Sequence, residues 1–169
     1  MDIRKILIAA AAVVCAISVS AQRNATRISA CTGVLYERGW DATVSVEHEG
    51  RGHNAWEFFA NGYLKWEECE VHRRVCARTF WYSYRTYCFG AAWKPCVARG
   101  RNHYGCMRLG GSLGSDTHEV IGGIHVGYEH SYALPHGWFL YGQVKTDMVI
   151  NGKDFFRTGI ALGVKFNVN

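Results

Sequence analysis

The cysteines and histidines are the first residues in this chain that invite chemistry. Cys69, His72 and Cys76 bring three metal-ligand types together at close spacing. Structural zinc takes four ligands, and no regular C-x-x-C partner follows, so no metal is expected. The same stretch suits a disulfide between Cys69 and Cys76 that closes a loop between two strands, or a pair of free thiols. Cys88 and Cys106 lie equally far from a turn centred near Val97, a spacing that would let them face each other across a hairpin. Cys31 and Cys96 have no evident partner. Ser115, Asp116 and His118 supply the residue types of an acyl-transfer set. That chemistry needs an aligned nucleophile, base and orienter, which adjacent residues in one tight turn seldom provide. The remaining histidines, His48, His53, His103, His125, His130 and His136, scatter over turns and strand ends and read as solvent or interface residues. The Gly-rich stretches at Gly50-Arg51-Gly52-His53 and Gly110-Gly111-Ser112-Leu113-Gly114 do not join a strand to a helix, as a phosphate loop would. They read as a turn and as a strand where small side chains relieve crowding. No catalytic residue and no cofactor is expected, and the chain reads as a non-enzyme.

The elements that would position these residues begin after a leader. Arg4 and Lys5 precede an apolar run from Ile6 to Ser18 and the small-residue junction Val19-Ser20-Ala21, the plan of a signal peptide over 1–21. A membrane-spanning helix needs about 20 apolar residues, which neither this run nor any later one supplies. Cleavage would discard Cys15, leaving six of the seven cysteines in an exported chain where disulfides are permitted. The net charge of +5 falls by one as Arg4, Lys5 and Asp2 leave. The remaining basic excess is spread along the chain without the clustered stripe that nucleic acid requires, so no direct nucleic-acid contact is expected. Nothing divides 22–169 into parts, and one domain is expected there.

Periodicity sets the class of that domain. Ile160, Leu162, Val164, Phe166 and Val168 alternate with small or polar neighbours. Trp40, Ala42, Val44 and Val46 alternate with Asp41, Thr43, Ser45 and Glu47, and Phe58, Ala60 and Leu64 with Glu57, Asn61 and Lys65. These are period-two strands. Weaker runs over 27–36, 78–92, 103–114, 117–131 and 137–147 bring the count to eight strands of about ten residues, the length that crosses a bilayer at a tilt. The expected fold is all-β, an eight-stranded antiparallel up-and-down outer-membrane β-barrel. The connection 93–102 is unusually long for such a barrel. The polar face carries Glu47, Glu57, Lys65, Arg85, Arg108, Glu129, Lys145, Asp147, Arg157 and Lys165, acids and bases together, as a charge network filling a narrow lumen requires. Trp40, Trp56, Trp66, Tyr128 and Trp138 suit aromatic girdles at the strand ends. A soluble sandwich, with one apolar face turned inward, is the competing architecture.

The closing segment Asp154-Phe155-Phe156-Arg157-Thr158-Gly159-Ile160-Ala161-Leu162-Gly163-Val164-Lys165-Phe166-Asn167, with Gly127-Tyr128-Glu129 and the junction Ala21-Gln22-Arg23, resembles the conjugal transfer protein TraO family of conjugative transposons in Bacteroides-type bacteria. The likeness is one of sequence in the C-terminal strands and of topology before them. The cysteine-rich middle, Cys69 to Cys106, departs from that family. The resemblance implies an outer-membrane barrel with a structural, anchoring role in a type IV secretion-like DNA-transfer apparatus, partnered by other envelope proteins of that apparatus and by outer-membrane lipid. A general small barrel of the adhesion or envelope-stability type, a barrel enzyme acting on lipid A, and a soluble periplasmic binding domain are the alternatives.

Overall fold

Alternating side chains and short polar turns dictate the architecture seen in the computed structural model, which describes residues 25–66 and 83–168. The leader, and with it the cleavage expectation, lies outside those residues, as do Cys69, His72 and Cys76. Nine strands follow one another: β1 (Ala25–Leu35), β2 (Gly39–Glu49), β3 (Ala55–Lys65), β4 (Tyr84–Lys94), β5 (Cys96–Arg99), β6 (His103–Ser115), β7 (Val120–Ala133), β8 (Trp138–Ile150) and β9 (Phe156–Asn167). Each neighbouring pair is antiparallel, β1 pairs with β9, and β4 pairs with β6, so the sheet closes on itself.

Strands β4 and β5 are one wall of the barrel, interrupted at Pro95. Both pair with β6, Trp93 opposite Leu109 and Cys96 opposite Cys106. Proline has no N–H to give the ladder and is tolerated in sheets at bulges. The Pro95 carbonyl still accepts from Met107 N–H at 3.0 Å, which carries the pairing across the break. The barrel therefore has eight walls, the number expected. The supposed long connection at 93–102 shrinks to a turn over 100–102.

Both ends of the described barrel wall, Ala25 and Asn167, meet at one rim, here the terminal rim, together with the turns 50–54, 100–102 and 134–137. The opposite rim, here the loop rim, carries the turns 36–38, 116–119 and 151–155, and there β3 ends at Lys65 and β4 begins at Tyr84. At 116–119 the carboxylate of Asp116 accepts from the N–H groups of His118 (3.0 Å) and Glu119 (2.8 Å). That cap holds Thr117 at φ 81°, a left-handed conformation unusual for a β-branched residue.

The polarity is inside out. Phe89, Leu113, Ile160 and Leu162 are 71, 71, 62 and 69% exposed on the outer wall, whereas Lys94 and Lys165 inside are 1 and 0% exposed. A soluble sandwich buries its apolar faces against each other, so that alternative is excluded. Trp56, Tyr128 and Trp138 stand on the outer wall towards the terminal rim and Trp40 towards the loop rim, all exposed, with Trp66 half-buried beside Trp40's rim. Glycine makes the tight β4–β6 seam possible. A Cβ at Gly114 would stand 2.1 Å from the Tyr87 carbonyl oxygen, and one at Gly110 2.6 Å from that of Ala91.

Candidate functional site: the charged lumen

The alternation that puts Ile, Leu, Val and Phe outside puts charge inside. Arg27, Lys94, Arg108, Lys145, Arg157 and Lys165 are buried there with Asp41, Glu47, Glu49, Glu57, Glu129 and Asp147. Among the described residues six cations meet six carboxylates, so their formal charges sum to zero. Desolvating any one of these groups alone would cost several kcal/mol, which ion pairs and hydrogen bonds must offset.

Near the terminal rim, Arg27 pairs with Glu49 and donates to Tyr104 Oη at 2.8 Å, with its guanidinium 4.3 Å from the centre of the Phe139 ring. At mid-height Lys94 donates to Glu47 (2.9 Å) and Glu129 (2.6 Å). Lys165 donates to the same two carboxylates, at 2.8 Å to Glu47. Glu57 lies between Lys94 at 3.9 Å and Arg108, whose Nε donates to it at 2.8 Å. Towards the loop rim Lys145 bridges Asp41 and Asp147, the latter at 3.2 Å. Asp147 also meets His125 Nδ1 at 2.7 Å, and His125 Nε2 meets Ser112 Oγ at 2.7 Å. Arg157 donates to Thr86 Oγ1 at 2.9 Å and stacks 3.9 Å from the Tyr63 ring centre, leaving its Nε and Nη2 without hydrogen-bond partners among the described residues.

Glu47, Glu57, Arg108, Glu129, Lys145, Asp147, Arg157 and Lys165 thus all line the lumen. Lys65 sits at its mouth, where it pairs with Asp154 at 2.5 Å. Arg85 does not belong to the network. It shares the parity of Tyr87, Phe89 and Trp93, which face outward, while Thr86, Cys88 and Lys94 face in. The inward cation of that wall is Lys94, hidden from a reading that ends the strand at Ala92. Arg27, Asp41, Glu49 and His125 are further inward residues outside the expected set. Asp41 and His125 share parity with Glu47 and Glu129 on their own strands, and that signal was sufficient to find them.

The cysteine expectations change as well. Cys88 faces Gly114, and Cys106 faces Cys96, so Cys88 and Cys106 are not cross-strand partners. The cause is the turn, which lies at 100–102 and not at Val97. Cys31, Cys88, Cys96 and Cys106 are free thiols. Ser115, Asp116 and His118 form no catalytic set. Ser115 Oγ accepts from Thr117 N–H at 3.1 Å, and Asp116 caps the backbone of its own turn.

No protein-family model and no curated protein matches the chain. Solved structures do. A major outer membrane protein from Thermus thermophilus superposes with a TM-score of 0.63 at 10% identity, over 86% of this chain and all of that one. Neisserial surface protein A matches with a TM-score of 0.61 at 14% identity, over 85% of this chain and 96% of its own. A de novo designed transmembrane β-barrel matches with 0.53 at 9% identity, over 85% and 95%. At such identities the likeness speaks for the fold: this chain is a closed eight-stranded antiparallel barrel of the outer-membrane type.

Proposed function

We propose that the chain is exported to a bacterial outer membrane, where the barrel anchors it, and that it acts on other proteins through its rims and not by conduction through its lumen. The filled lumen carries this reading: its charged side chains are nearly all within a few per cent of full burial and bind one another. In a barrel this narrow, side chains occupy the interior, and neither a folded protein nor duplex DNA can pass. The exposed apolar wall supports the location, since burying a large aliphatic or aromatic side chain is worth about 1.5–3 kcal/mol. The long stretch of sequence between Lys65 and Tyr84 leaves and re-enters the barrel at the loop rim, which favours the terminal rim as periplasmic, because periplasmic turns are the short ones.

The finer reading is a structural component of a conjugative DNA-transfer apparatus, docking other envelope proteins of that apparatus. What supports it is the resemblance of Asp154–Asn167 and Gly127-Tyr128-Glu129 to the TraO family. Fractionation of the native host, with a gel comparing boiled and unboiled detergent extract, tests the anchor. An outer-membrane band that shifts on boiling is expected, and a soluble periplasmic protein would overturn both readings. Deletion of the gene tests the finer one. A fall in DNA-transfer frequency is expected. Unchanged transfer with the barrel in place leaves the anchor and removes the conjugative role, pointing to a general adhesion or envelope-stability barrel.

A further inference from the structure

On the outer wall at the terminal rim, His103 of β6 and His130 of β7 are both exposed. In register His130 stands opposite Gly105 and His103 opposite Tyr132, so the two histidines are diagonal neighbours on one face. Long side chains reach across such a diagonal, and here the ring centres lie 5.1 Å apart. Two glycines make the room. A Cβ at Gly100 would come 2.2 Å from His103 Nε2, and one at Gly105 would come 2.1 Å from the Tyr128 hydroxyl, which leans across it. That hydroxyl stands 3.0 Å from His130 Nδ1. Tyr128 belongs to the aromatic girdle, which marks the headgroup level, and the pair lies on its rim side, open to water.

Exposed imidazoles also stack on one another with nothing bound. Two features point past that. The planes of His103 and His130 meet at 31°, which is neither edge-on nor the parallel of a stacked pair such as His53 on Tyr104, at 7°. Their separation is instead the one a shared metal ion would set. Metal–nitrogen bonds of about 2.0–2.1 Å at a tetrahedral centre hold two imidazole ring centres roughly 5 Å apart. The second feature is the Tyr128 hydroxyl. A histidine that binds metal through one nitrogen donates the N–H of the other to an outer partner, which fixes tautomer and ring orientation. Tyr128 Oη is placed to accept from Nδ1 and so to leave the Nε2 lone pair of His130 free. The His103 ring has no hydrogen-bond partner among the described residues and is held by the ring contact alone.

We propose that His103 and His130 together bind a divalent metal ion of the class that prefers imidazole, zinc above all, with one ring nitrogen from each histidine and Tyr128 as the orienting partner of His130. No third histidine, cysteine or carboxylate joins them among the described residues. Two of the four positions of a zinc ion therefore stay with water. Bound there, the ion clamps β6 to β7 beside the turn 100–102. A hard cation such as magnesium, which takes oxygen ligands, is not expected to bind. The site needs only the folded barrel and rests on neither the anchoring nor the conjugative reading.

The test is modification of histidine by diethyl pyrocarbonate in the full-length barrel folded in detergent, with and without zinc, mapped by peptide mass spectrometry. Accessible thiols are alkylated first, so that cysteine does not take the metal. Zinc should protect His103 and His130 together and leave His136, exposed in the neighbouring turn, reactive. His103→Gln should remove the protection of His130, and His130→Gln that of His103, each variant still shifting on boiling. Tyr128→Phe should raise the zinc needed for half-protection by about tenfold or more, the usual effect of losing an outer partner. Wild-type protein in which excess zinc protects neither histidine overturns the proposal. So does protection of one histidine that survives loss of the other, or equal protection by magnesium.

Discussion

Lys94 and Lys165, on β4 and β9, hold the same two carboxylates, Glu47 and Glu129, between them. Neither lysine is reachable by solvent, so each depends on that shared pair. Lys165→Met should leave a carboxylate short of its counter-charge and cost about 3–5 kcal/mol, the usual penalty for breaking a buried pair. Urea unfolding from lipid vesicles measures it. Lys165→Met combined with Glu129→Gln restores the balance and should cost less than the two single changes added together, by about 0.5–3 kcal/mol.

At the terminal rim, burial and the nearby guanidinium groups of Arg27 and Arg99 push the His53 imidazole below its ordinary value, despite the Glu49 carboxylate 2.7 Å from its Nδ1. The unfolded chain then binds the proton more readily than the folded one. Stability from His53 is full above the ordinary histidine pKa, about 6.5, and is lost as pH falls through the depressed folded value. Unfolding midpoints measured from pH 7 to 5 should therefore fall more steeply for the wild type than for His53→Gln.

Gly114 has the backbone of β4 where a side chain would go. Gly114→Val should block closure of the β4–β6 seam, costing more than the roughly 1–3 kcal/mol of ordinary overpacking. Loss of the boiling-dependent gel shift reports it. Gly50→Ala is the control, because its Cβ would meet nothing nearer than 3.5 Å.

Cys96 and Cys106 are direct cross-strand neighbours. Both are nonetheless free thiols, with Cys96 Sγ donating to the Ala98 carbonyl at 3.3 Å and Cys106 Sγ to the His53 carbonyl at 3.6 Å. Non-reducing peptide mapping of the folded protein should therefore recover the two peptides unlinked. Cys88 should stay free for alkylation after denaturation.

Much of this could be read in the sequence. The alternation in β2, β3 and β9 shows which side chains face in, and Glu47, Glu57 and Lys165 lie in the lumen. Pro95 is where that reading slips. It looks like a loop residue, yet the wall runs through it, so Lys94 is lost to the turn and Arg85 is given its place. Ser112, His125 and Asp147 were hidden for a different reason. Their meeting depends on the register across two hairpins, which puts Gly123 opposite Ser112 and Asp147 opposite His125. Side-chain alternation alone does not specify that alignment.

The pairing of β1 with β9 has a kinetic consequence. Arg27 donates to Asn167 at 2.9 Å across 140 residues of chain, and no shorter stretch can close the sheet. Until the last strand docks, every partly folded form has two open edges, each able to pair with another chain. Contacts this distant in sequence form slowly, because the loop-closure entropy comes first. The molecule therefore has no finished half, and premature truncation anywhere before β9 should yield an aggregation-prone open sheet instead of a smaller barrel.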